Sequence, residues 1–128
     1  MKYYISIKVR MDFEQAIQLV TESLKKEGFG ILTEIDIQQK LKEKLDVDFR
    51  KYRILGACNP PYAYKALQQE DKIGTMLPCN VILQELGDNE VEVASVDPVA
   101  SMMAIVNPDL AGIAKEIKEK LERIIASL

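Results

Sequence analysis

Tyr52-Arg53-Ile54-Leu55-Gly56-Ala57-Cys58-Asn59-Pro60-Pro61 passes from a strand pattern into a helix start. From Lys51 to Ala57 the apolar residues fall on both faces, Tyr52 and Ile54 on one and Leu55 and Ala57 on the other. A strand apolar on both sides reads as central in its sheet. Asn59 then predicts an N-cap, and proline fits the first helical turn without losing a needed donor. The helix should run to about Gln69.

Outward from this stretch, period-two alternation over Met1 to Arg10 predicts a first, half-buried strand. Asp12 with Gln15 gives a capping pattern, and Phe13, Ala16, Ile17, Val20 and Leu24 share one helical face. Gly28 and Gly30 end that helix. Ile31, Thr33, Ile35 and Ile37 predict a second strand, followed by a short helix from Gln38 to Leu45. Leu77 to Gln84 and Glu90 to Ser95 read as a hairpin around Gly87-Asp88-Asn89, with Pro78 confined to a strand start or an edge. Asp97-Pro98 opens a turn of helix. Asn107-Pro108-Asp109 opens a long one, whose stripe is Leu110, Ile113, Ile117, Leu121, Ile124 and Leu128. The expectation is a two-layer α+β domain over residues 1–128: an antiparallel or mixed sheet of about five strands with two long helices packed on it.

A chain of 128 residues, 48% hydrophobic and 29% charged, can bury a core and remain soluble. The net charge of −3 argues against nucleic acid as the partner, because phosphate binding needs a basic surface. The first ten residues carry no apolar signal core, and no uncharged run approaches the ~18 residues of a membrane span. A cytoplasmic protein with reduced thiols and no membrane partner is the expectation. There is no histidine. That removes Ser-His-Asp and Cys-His catalysis and histidine-ligated metals. Two thiols alone are thin ligation for zinc, so no metal or cofactor is expected.

The two cysteines stand in similar proline-bounded phrases, each followed by Asn: Gly56-Ala57-Cys58-Asn59-Pro60 and Leu77-Pro78-Cys79-Asn80. Cys58 precedes a helix start, where amides and the dipole favour a thiolate. It reads equally as a small buried hydrophobe ending a central strand. Cys79 alternates with Leu77, Val81 and Leu83, a core-face pattern. A redox pair would need the two Cα atoms within about 7 Å. Asn80 should face away from Cys79, and makes a polar patch if Arg53, Tyr62 or Tyr64 share its face. Asp97 reads first as a cap, and Met102-Met103 as core or interface. The uncharged run from Pro98 to Pro108 is a candidate dimer contact.

The segment 52–60, followed by Ala63, Leu67, Ile73-Gly74, Leu77-Pro78-Cys79-Asn80 and Asp97-Pro98, resembles the DUF302 family of uncharacterised proteins. The likeness extends to the first strand and helix and to Lys44-Leu45-Asp46-Val47-Asp48-Phe49-Arg50. It implies a fold similar to the TATA-box-binding-protein-like, helix-grip group, in which a long helix lies across a curved antiparallel sheet, and it implies homodimers. It implies no established activity.

Two functions follow as expectations. The first is a small-ligand-binding or regulatory module for an apolar or anionic molecule. Its site residues are Cys58, Asn59, Pro60, Pro78, Cys79, Asn80, Arg53 and Asp97. The alternative is a thiol-dependent redox or transfer protein, with Cys58 as nucleophile and Cys79 as resolving partner.

Overall fold

Alternation, caps and glycine stops place the elements close to where the sequence predicts them. The computed structural model describes residues 2–128. In chain order they form β1 (Tyr4–Val9), α1 (Phe13–Lys26), β2 (Gly30–Asp36), α2 (Ile37–Leu45), β3 (Tyr52–Cys58) and α3 (Pro60–Gln69). A 3₁₀ turn (Ile73–Met76), β4 (Cys79–Gly87), β5 (Glu90–Val96), α4 (Pro98–Ser101) and α5 (Pro108–Ala126) follow. Asp12 Oδ2 accepts from the amides of Glu14 and Gln15, so the start of α1 is satisfied as its sequence predicts. Gly28, at φ 89°, turns the chain out of α1 in a conformation that side chains resist.

The sheet is antiparallel throughout and ordered β1-β5-β4-β3-β2. Each hairpin partner lies beside its neighbour, and only β1 crosses over to pair with β5. β3 is an inner strand between β4 and β2, as its two apolar faces predict. Its faces nonetheless differ. Leu55 and Ala57 are buried beneath the helices, while Tyr52 and Ile54 lie half-buried on the face turned away from α1 and α5.

α1 and α5 pack on the same face of the sheet. Phe13, Val20 and Leu24 of α1 and Ile117, Leu121 and Ile124 of α5 meet Leu55, Val81, Leu83, Val91 and Val93 in one continuous core. The α5 stripe is the predicted one, widened by Ala114 and Ile125, with Ile113 and Leu128 only partly buried. This is the two-layer α+β architecture. A small second cluster of Ala66, Ile73 and Leu110 joins α3 and the 3₁₀ turn to the start of α5. Among the described residues no helix is long and apolar enough to cross a membrane.

Candidate functional site

α3 begins with two prolines, so its first two positions carry no N–H. An Asn at the N-cap normally accepts from the amide of the second or third helical residue. The expected cap therefore fails here: the Asn59 side chain makes no capping bond. Instead Nδ2 donates to the carbonyl of Glu27 at 3.1 Å. That carbonyl closes α1, so Asn59 ties the end of one helix to the start of another. Its position is tight, because a Cβ on Gly28 would lie 3.2 Å from Nδ2.

Behind Asn59 the helix–sheet interface is hollow. A cavity of about 330 Å³ lies between the ends of β3 and β4, α3 and α5. Its walls include Phe29, Ala57, Tyr62, Ala63, Ala66, Leu77, Met102 and Ile113. It exists because small residues face one another: Ala57 on the sheet, Ala63 and Ala66 on α3, and Ala114 on α5. Among the described residues no Lys, Arg, Asp or Glu lines it. Leu32 and Leu67 also line the cavity while remaining largely exposed, which gives it an apolar opening.

Cys58, Asn59, Pro78 and Cys79 all line this cavity, so the two Cys-Asn phrases converge there. The cysteines nevertheless do not form a pair. Both are free, and they are not near each other. Cys79 stands in register with Ala57, one residue short of Cys58, and successive strand residues point to opposite faces. Burial, with a smaller contribution from Cys58, pushes the Cys79 thiol up to about 11. Cys79 is therefore a neutral thiol at physiological pH, packed against the core that also holds Val81 and Leu83.

The remaining predicted site residues stand elsewhere. Pro60 is exposed and outside the cavity wall. Arg53 is ion-paired to Glu14 at 3.1 Å, Glu34 at 2.6 Å and Asp36 at 3.7 Å, and lies over the Phe13 ring. Burial acts to lower its pKa, but the Glu34 hydrogen bond and the three carboxylates outweigh that and raise it. Arg53 thus fastens α1 and β2 to β3 at the far end of the strand. Its Nε is buried and finds no partner among the described residues. Asn80 is exposed on the sheet face turned away from α1 and α5, beside Tyr4, Tyr52 and Ile82, and not with Arg53, Tyr62 or Tyr64. Asp97 caps α4 through the amides of Val99 and Ala100 and is paired to Lys118 at 2.9 Å. Met102 packs on the small second cluster, whereas Met103 and Val106 stay exposed within the run 98–108.

The walls contributed by α3 and α5 went unassigned in the sequence. Their signal was small residues, Ala63, Ala66 and Ala114, facing inward where an amphipathic helix usually carries large ones. Gly56 precedes the cavity-lining Ala57 on β3. A Cβ on Gly56 would overlap Thr33 Oγ1 and stand 2.8 Å from Pro78 Cγ, so only glycine lets these strands and Pro78 close up.

The fold and the hollow define an α+β domain with an apolar cavity where its short helices meet one end of an antiparallel sheet. The model of the family described as "Domain of unknown function DUF302" matches residues 5–128, and the chain belongs to that family. A crystal structure of an uncharacterized conserved DUF302 protein from Bacillus stearothermophilus is 28% identical, with a TM-score of 0.90 over 98% of each chain. No curated protein matches significantly.

Proposed function

We propose that this protein is a binding module for a small, mainly apolar ligand held in the cavity behind Asn59. The observation that carries the reading is the cavity itself. A volume of about 330 Å³ lies at the lower end of ligand pockets, and its wall is apolar apart from Asn59, Tyr62 and the two thiols. Natural cores close to near-crystalline density, so a hollow of this size beside a filled core calls for a role.

An apolar occupant fits better than an anionic one. Among the described residues no basic side chain lines the wall, and Pro60 and Pro61 remove the amides that would hold an anion at the start of α3. Thiol chemistry fits less well, because Cys79 is neutral at physiological pH and is not paired with Cys58.

Titration with the neutral dye Nile red tests the reading. Binding should enhance its emission and raise the melting temperature, and Ala63→Trp, which fills the cavity, should abolish both. No enhancement with the native protein, or enhancement that survives Ala63→Trp, would refute it.

A further inference from the structure

We propose that Asn59 is the recognition group of the cavity, and that its ligand is an uncharged, mainly apolar molecule bearing one hydrogen-bond donor, a hydroxyl or an N–H. This rests on the cavity being a binding site and names the class of molecule it takes.

The amide orientation of Asn59 is fixed by its partner. A backbone carbonyl accepts and cannot donate, so the group facing the Glu27 oxygen at 3.1 Å is Nδ2, and the other end of the amide is Oδ1. The ordinary partner of that oxygen is missing for a covalent reason. The second helical residue is Pro61, without an N–H, and the third, Tyr62, makes no bond to it. The Asp12, Asp36, Asp97 and Asn107 side chains all cap their helices, and Asn59 does not. Among the described residues no donor reaches Oδ1.

Asn59 is only 7% exposed and lines the cavity. Oδ1 is not sealed from solvent, but an apolar ligand seated against it would strip it of water, a cost that a ligand donor offsets. The rest of the wall sets the other half of the ligand's chemistry. Apolar side chains with no counter-charge penalise any ionised group that enters. An apolar body with a single donor satisfies both conditions.

The test compares indole with indene, two bicyclic probes of nearly the same shape, of which only indole carries an N–H. Each is titrated as a competitor of bound Nile red on the intact protein. Indole should bind roughly tenfold more tightly than indene, because an isostere that covers the acceptor without donating to it leaves that oxygen unpaired. Asn59→Leu should abolish the preference while leaving indene binding in place. The native protein decides the matter even if that variant folds poorly. Equal displacement by indole and indene overturns the role of Asn59 and leaves the cavity reading standing. Tighter binding of indene does the same. Failure of Nile red and both competitors to bind overturns both readings.

Discussion

The helix–sheet interface has two ends built on different terms. Under α1 and the middle of α5, large side chains interdigitate: Phe13, Val20, Leu24, Leu83, Val91, Val93 and Leu121 are each no more than 1% exposed. Under α3 and the start of α5, alanines face one another and leave a hollow. The same sheet supplies both floors, so the difference comes from the roofs. The long helices bring leucine, isoleucine and phenylalanine inward at helical spacing. The shorter α3 brings Ala63 and Ala66. A void among apolar walls forfeits dispersion contacts on every lining atom. The filled end is therefore where stability resides, and the hollow end is where binding chemistry has room.

This contrast is sharpest under truncation. Leu83→Ala, at a residue 0% exposed in the filled end, should destabilise the fold by about 2–5 kcal/mol in urea melts. A loss below 1 kcal/mol would mean that the filled end is looser than its burial indicates. Gly56→Ala comes next. Its new Cβ would press on Thr33 and Pro78, an overpacking cost of about 1–3 kcal/mol read as a fall in denaturation midpoint. An unchanged midpoint would show that the strands near the cavity can yield.

Cys79 probes the border between the two ends through pH. Its folded-state pKa lies above the unfolded value of 9.0, at about 11. The folded state therefore holds the proton longer. The thiol's contribution to stability is present below pH 9 and is lost as pH rises towards about 11. Denaturation midpoints measured from pH 8 to 11 should fall more steeply for the native chain than for Cys79→Ala, and parallel curves would place Cys79 in contact with water. The smallest effect belongs to Ala63→Leu. Added volume enters the hollow, so stability should change by less than about 1 kcal/mol while Nile red binding weakens. A large loss of stability would show the hollow end to be packed already.

Much of this was legible along the chain. Asp12, Asp97 and Asn107 cap where the sequence predicts, because a cap depends on neighbours two or three residues away. The inner place of β3 and the core face of Cys79 followed from alternation. The convergence of the two Cys-Asn phrases was visible only as a likeness between them. The roles within that convergence were hidden for a stated reason. Asn59 looks like a cap in sequence, yet its donor binds Glu27, more than thirty positions away. Arg53 sits beside the phrase in sequence and still belongs to an ion cluster with α1 and β2.

Sequence alone determined the elements, the apolar stripes and the inner strand, since these depend on spacing, on backbone chemistry and on the turning of Cβ along a helix or strand. It also determined that α3 starts without amides on its first two residues, a covalent property of Pro60-Pro61. Tertiary structure decided which residues share a cavity, that the two thiols stand apart, and that Asn59 keeps one oxygen without a partner. Those outcomes depend on register between strands and on how helices distant in sequence are seated together, and no local pattern encodes either.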